Sequence, residues 1–329
     1  MSKNNKNVNV KLIANPGAGQ VLKRSSLILE VAQELVDLGL NVDVALARPT
    51  REAERAARKA VKDGYDIIVA MGGDGTIGGV IRGMVGAKTH LGLIAAGTEN
   101  DFALSLGIPR DVKQACALIA SGPTRTMDLG RLRTKSTDRF DFFMVTTVGI
   151  VSTVFPMIKN VPAGQYSKIK DAIRAFFKFD PSPKVFLTLD DQPEFEVDTM
   201  LVTITNVPLI GLHNLVSPDT SLADGLLDIA TYPGFSKSEI LAYFARTANA
   251  ASAADEKVRR YRASRIKIRT EPKLDIASEG LMMGRGKAWI KVLPGAIRVI
   301  TPEPATEVQK PQEAATRVEA LERQSVPAH

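Results

Sequence analysis

The stretch Asp66–Met71, DIIVAM, limits the fold more than any other segment of the 329-residue chain. After its first residue it is apolar at every position. A strand of that kind presents apolar side chains to both faces of its sheet, so both faces must be covered, as in a parallel sheet wrapped by helices. Its surroundings agree. Val8–Ala14 and Leu40–Ala47 read as strands, with a helix over 25–38 in which Leu27, Val31, Leu35 and Leu38 can share a face. Residues 51–62 form a helix with a charged outer face, 76–86 a second, Leu91–Ala96 a strand, and 110–121 another helix. This β-α-β-α order predicts an α/β fold with an N-terminal doubly wound parallel sheet.

From about residue 125 the pattern changes. Strand-like segments follow one another at 140–149, 184–190, 194–207, 226–232, 264–269, 273–277, 287–293 and 296–301, with helix candidates only near 165–178 and 237–250. These predict a C-terminal, mostly antiparallel β-sandwich. The expected domains are therefore 1–125, an α/β unit, and 126–295, a β-rich unit, with the last strand, 296–301, available to return to the first. Residues 302–329 lack a sustained apolar face and read as a flexible tail.

A net charge of +7 favours anionic partners without choosing between phosphates, nucleic acid and an acidic membrane surface. The single cysteine, Cys116, rules out an internal disulfide and a cysteine-based metal cluster, and reads as a packed core residue. His90, His213 and His329 have no zinc-ligand spacing. No apolar run reaches the roughly 18 residues of a spanning helix, and the polar start is unlike a signal peptide. The expectation is a soluble, cytoplasmic protein peripheral to a membrane, with a homodimer left open.

At the end of the central strand stands Gly72-Gly73-Asp74-Gly75-Thr76-Ile77-Gly78. Phosphate oxygens bind to backbone amides converging at a helix N-terminus, and a Cβ would block their approach. Asp74 by itself would repel phosphate, unless a Mg²⁺ or a hydroxyl donor lies between. Two further polar turns, Asn15-Pro16-Gly17-Ala18-Gly19 and Gly97-Thr98-Glu99-Asn100-Asp101, close corresponding strands, and Thr50 lies on the same edge. Ligands of open parallel sheets collect at such strand ends. A dinucleotide fingerprint, Gly73-x-Gly75-x-x-Gly78, also fits by letter, and would need Glu99 or Asp101 as its ribose acid. A purely structural turn is the plainer alternative. A P-loop is excluded, because its lysine-bearing signature is absent.

Gly72–Thr76, Gly97-Thr98-Glu99-Asn100-Asp101-Phe102-Ala103 and Leu106-Gly107-Ile108-Pro109 resemble the diacylglycerol kinase catalytic domain, and in particular soluble bacterial lipid kinases of that superfamily. Asp128-Leu129-Gly130, Asp224-Gly225-Leu226-Leu227-Asp228 and the stretch Leu293–Val299 extend the likeness over nearly the whole chain. A stretch similar to GGDGT also occurs in NAD kinases and phosphofructokinases, so it is not diagnostic alone. The resemblance implies transfer of the γ-phosphoryl group of ATP, assisted by Mg²⁺, to the hydroxyl of a diacylglycerol- or sphingosine-like lipid, a step of phospholipid metabolism. It implies a nucleotide site of Asn15, Pro16, Gly17, Ala18, Gly19, Thr50, Gly72, Gly73, Asp74, Gly75, Thr76, Ile77, Gly78, Thr98 and Asn100. Asp74 would organise a Mg²⁺–water network, and Ser221, Asp224 and Leu226 would hold a second, structural Mg²⁺.

Two positions depart from the family. Its general-base glutamate falls on Leu281, and Glu279 stands where it has aspartate. A two-residue slip would bring Glu279 into the base role; otherwise another group activates the hydroxyl, or the chain is a weak or inactive nucleotide- and lipid-binding homologue. Ile77-Gly78-Gly79 also replaces a usual Asn-Glu pair. The NAD kinase reaction remains an alternative.

Two further stretches admit two readings each. KVRRYRASRIKIR, 257–269, reads as the solvated face of a strand or as an attachment to anionic lipid. QYSKIKDAIRAFFKF, 165–179, with Ile169, Ile173 and Phe176–Phe177 inward, reads as a core helix or as the flank of a lipid cleft. With aromatics at only 5% and no stacking module, nucleic acid is not an expected partner.

Overall fold

The computed structural model describes residues 8–158, 166–179, 183–211, 213–217, 220–248 and 255–303. Its first half runs β1 (Asn9–Ala14), α1 (Gly19–Lys23), α2 (Leu27–Asp37), β2 (Asn41–Leu46), α3 (Arg51–Lys62), β3 (Ile67–Gly72), α4 (Asp74–Met84), β4 (His90–Ala95), α5 (Asp101–Ser105) and α6 (Val112–Ser121). The strands are parallel in the order β2-β1-β3-β4. β3 is buried at every position. Its alternate residues serve two cores, as an unbroken apolar strand requires. Ile68 and Ala70 pack with Ala53, Ala57, Val80 and Ile81 of α3 and α4. Ile67, Val69 and Met71 pack with Val31 and Leu35 of α2 and Cys116 and Ile119 of α6. Cys116 is fully buried, and burial pushes its thiol up to about 12.

The α3–α4 contact explains part of the departure after GGDGT. A Cβ on Gly79 would lie 2.7 Å from the Thr50 carbonyl, and one on Gly83 2.5 Å from that of Glu54. The two helices cross with their backbones nearly touching, which no asparagine or glutamate at 79 would permit.

The second half runs β5 (Thr124–Thr134), β6 (Phe140–Phe142), β7 (Val145–Gly149), α7 (Ile150–Ile158), α8 (Tyr166–Lys178), β8 (Lys184–Leu189), β9 (Phe195–Thr205), β10 (Leu209–Ile210), β11 (Asn214–Leu215), β12 (Leu227–Pro233), α9 (Lys237–Thr247), β13 (Arg259–Ala263), β14 (Arg265–Glu271), β15 (Asp275–Ser278), β16 (Leu281–Arg285) and β17 (Lys287–Ile300). Its pairings are antiparallel and form the sandwich, with Val185, Leu187, Val202, Ile204, Ile229, Ile266 and Ile290 in one core.

β17 is one strand, not the two read at 287–293 and 296–301. Pro294-Gly295 makes a bulge between Leu293 and Ile297 rather than an end, because β5 continues its ladder on both sides. Before the bulge β17 pairs with β14 of the sandwich; after it, Arg298 and Val299 pair in parallel with β4.

In α8, Phe176 packs inward and Phe177 is 70% exposed. The side chains of Ile169 and Ile173 and the tail beyond residue 303 lie outside the described residues. Along β14, Ile266 and Ile268 are buried while Arg265 and Lys267 face out, and much of the basic charge is matched. Arg265 pairs with Asp191, and Arg269 with Glu194 and Glu271.

Candidate active site

Three glycine turns meet at the carboxyl ends of β1, β3 and β4. A Cβ on Gly97 would stand 2.4 Å from the Gly73 Cα, so these two turns touch backbone to backbone and only glycine serves. The first turn joins them through the Gln20 amide, which donates to the Ala96 carbonyl at 3.0 Å, and through Gly19, beside the Thr98 hydroxyl. Within it, the Asn15 side chain accepts the Gly17 amide at 2.9 Å. The Asn100 side chain does the same for Gly97, also at 2.9 Å. Thr50, held at φ 67°, donates its amide to the Gly75 carbonyl. The structure thus gathers Asn15–Gly19, Thr50, Gly72–Thr76, Thr98 and Asn100. Ile77 and Gly78 lie deeper: Ile77 is fully buried in the core, and Gly78 faces the Phe143 ring and the Arg82 guanidinium.

Asp74 is the first residue of α4. Its carboxylate accepts the amides of Asp101 at 3.3 Å and Phe102 at 3.1 Å, and so satisfies the N-terminus of α5. Ligand oxygens of Asp74, Glu99 and Asp101 lie within 4.8 Å of one another. Burial raises the Asp74 carboxyl above its ordinary range. The Phe102 and Asp101 amides oppose that shift, and the charges of Asp101 and Glu99 add to it. Hard oxygen donors so crowded suit a Mg²⁺. Asp101 itself is 1% exposed and bound to His213 at 2.6 Å, which leaves it unsuited to a ribose hydroxyl.

Glu279 occupies the left-handed turn between β15 and β16, at φ 53°. Its Oε1 accepts the amides of Phe143 (3.2 Å), Met144 (2.9 Å) and Val145 (3.3 Å). Burial raises its carboxyl; these amides and the Arg82 charge oppose the shift. A continuous line of contacts links it to Asp74. The Phe143 ring stands edge-on to Phe102, with centroids 4.7 Å apart, and the Phe102 amide is one of those held by Asp74. Leu281 is 38% exposed and offers no proton acceptor.

Asp128 ties three loops together. Its carboxylate accepts the amides of Gly225 and Gly295, each at 2.7 Å, and its carbonyl accepts the Asn206 side chain at 2.6 Å. Asp128→Ala would leave two part-buried amides without their acceptor and is expected to cost roughly 1–3 kcal/mol of folding stability. Asp128→Asn, keeping one acceptor, should cost less. Denaturant midpoints of the two variants check this.

In the neighbouring loop the Asp224 carboxylate accepts the Leu226 amide at 3.0 Å and pairs with Arg262, which also reaches Asp228 at 3.3 Å. Both Asp224 oxygens are thus engaged by the chain's own donors, and Ser221 and Leu226 stand in the same loop. A guanidinium already supplies the positive charge.

Sequence reasoning missed the bond between His213 and Asp101, the Phe102–Phe143 contact and the role of Asp128. The last had a signal, an aspartate between Met127 and Leu129 in the buried middle of a strand. The others join residues far apart in sequence and leave no local trace.

The site is therefore an open parallel sheet with glycine turns around an acidic cluster, continued into a β-sandwich. Residues 9–132 match the model of the diacylglycerol kinase catalytic domain, and 154–301 that of the YegS C-terminal NAD kinase beta sandwich-like domain. Among curated relatives, a diacylglycerol kinase from Bacillus subtilis is 27% identical over 308 residues, 90% of this chain and 97% of that protein. One from Mycobacterium tuberculosis is 27% identical over 267 residues, 80% and 86% of the two chains. A crystal structure of a diacylglycerol kinase from Bacillus anthracis aligns with TM-score 0.70 at 20% identity, covering 92% of this chain and 99% of that one. The chain thus joins a diacylglycerol kinase catalytic domain to a YegS-type C-terminal domain, and relatives over most of its length are named diacylglycerol kinases. No helix among the described residues is long and apolar enough to cross a membrane.

Proposed function

We propose that this kinase transfers the γ-phosphoryl group of ATP to the free hydroxyl of a diacylglycerol- or sphingosine-like lipid. The observation that carries the reading is the meeting of Gly73 and Gly97, which leaves bare backbone beside Asp74 where a triphosphate can approach the amides of 72–75. Asn15–Gly19, Thr50, Thr98 and Asn100 would enclose the nucleotide. Asp74, with Glu99 near it, would hold a Mg²⁺, which neutralises phosphate charge when bound. Phosphoryl transfer asks the protein mainly for positioning and charge, with one group to orient or deprotonate the attacking hydroxyl. Glu279 is that group in this reading, joined to the Asp74 corner through Phe143 and Phe102. The lipid acceptor lies in a bilayer, so the protein would meet an anionic membrane surface peripherally, its positive net charge favouring the encounter.

The test is incubation with γ-labelled ATP, Mg²⁺ and a panel of diacylglycerol, ceramide, sphingosine and NAD. Label in a lipid phosphate is expected. Label only in NADP would move the chain to the NAD kinase reaction. Saturable, Mg²⁺-dependent ATP binding with no product would make it a binding protein.

A further inference from the structure

His213 lies outside every motif that suggests the kinase. It stands between β10 and β11 in the left-handed conformation, φ 58°, which is uncommon for a residue with a bulky side chain. Two bonds hold it there. Its backbone amide donates to Oδ1 of Asp101 at 3.1 Å, and its ring Nδ1 lies 2.6 Å from the same oxygen, where an ionised carboxylate, able only to accept, makes Nδ1 the donor. Asp101 needs them, since a carboxylate withdrawn from water is costly unless donors replace the solvent. The β10–β11 hairpin also packs on α5, with Ile210 and Val216 in the same core as Phe102 and Ala103.

Asp101 faces two ways. Its carboxylate is fastened to His213 in the second half of the chain. Its amide, with that of Phe102, fastens the Asp74 carboxylate in the first half. The direction of Asp74 therefore depends on α5, and the N-terminus of α5 is anchored from the far side by His213.

We propose that His213 is a positioning residue for phosphoryl transfer: through Asp101 it fixes the orientation of the Asp74 carboxylate and fastens the β10–β11 hairpin to the glycine corner. The inference rests on the kinase reading above. Its requirement is a hydrogen-bond donor at the Nδ1 position. Removing that donor leaves Asp101 under-satisfied and lets the N-terminus of α5 drift, carrying Asp74 with it. Outer partners that orient a charged ligand commonly matter by 10- to 100-fold.

The test uses the full chain and two variants. His213→Ala deletes the ring donor. His213→Asn keeps it, because its Nδ2 takes the place of Nδ1 and asparagine accepts the left-handed backbone readily. Three quantities are read: calorimetric affinity for ATP in Mg²⁺, kcat with KM for ATP and lipid, and the thermal midpoint. In His213→Ala, Mg²⁺-dependent ATP affinity and kcat should each fall on the order of 10-fold or more, with the lipid KM unchanged. His213→Asn should restore most of both. Wild-type affinity and kcat in His213→Ala would overturn the proposal, as would equal losses in both variants. Should His213→Ala fail to fold, His213→Gln, whose amide reaches the Nε2 position instead, serves as the variant without the donor. A wild-type protein that binds ATP yet phosphorylates no lipid would refute the kinase reading alone, and the affinity arm would still decide the role of His213. A wild-type protein that binds no ATP would refute both.

Discussion

Asp74→Asn is expected to lower kcat on the order of 10²–10³-fold, the size of effect seen when one preorganised electrostatic partner of a transition state is removed. Asparagine keeps an oxygen for the Phe102 amide but loses the charge that would hold Mg²⁺. The same change should not lower the thermal midpoint at neutral pH. Burial and the charges of Asp101 and Glu99 raise the Asp74 carboxyl, while the Phe102 and Asp101 amides hold it down. A carboxyl whose folded pKa lies above its unfolded value makes the folded state bind protons more tightly. Its ionised form therefore costs stability above that folded pKa, and the cost is relieved as pH falls through it. A neutral residue removes the cost at every pH, which offsets the weakened bond to the Asp101 amide. Loss of activity with loss of fold would assign Asp74 to structure instead. Steady-state kinetics and a melting curve on one preparation separate the two outcomes.

Glu279→Gln isolates the second assignment. Glutamine retains Oε1, so the amides of Phe143, Met144 and Val145 keep their acceptor, and the left-handed turn at 279 keeps its anchor. Basicity and charge are removed. If Glu279 takes the proton of the acceptor hydroxyl, kcat should fall on the order of 10²–10⁴-fold with ATP affinity unchanged. Unchanged turnover would leave Glu279 as a structural anchor only. Glu279→Ala is the complementary change: it strands the three amides, so it should also destabilise the fold.

The parallel half was legible because its signals are local. Continuous apolar runs marked its strands, and β3 feeds both cores as its sequence requires. The helix over 51–62 matches α3 in both bounds, its alanines facing α4 and its charges facing water. The sandwich was less legible. β5, β13 and β16 went unread, because strands paired on both sides or exposed on one need not show a clean alternation. Pro294-Gly295 looked like a terminator and is a bulge, since its meaning depends on β5, more than 150 residues earlier in the chain. α1 and α5, five residues each, are too short for periodicity to reveal. At the site, the glycines were readable because phosphate chemistry demands bare backbone at a strand end. The links from His213 to Asp101 and from Phe102 to Phe143 depend on tertiary packing between the halves, which no local pattern encodes.

The most direct test of the whole account is a crystal structure of the protein with a non-hydrolysable ATP analogue and Mg²⁺. The triphosphate is expected against the backbone amides of 72–75, with the cation beside Asp74. A nucleotide lodged elsewhere, or a glycine corner left empty at saturating ligand, would contradict it.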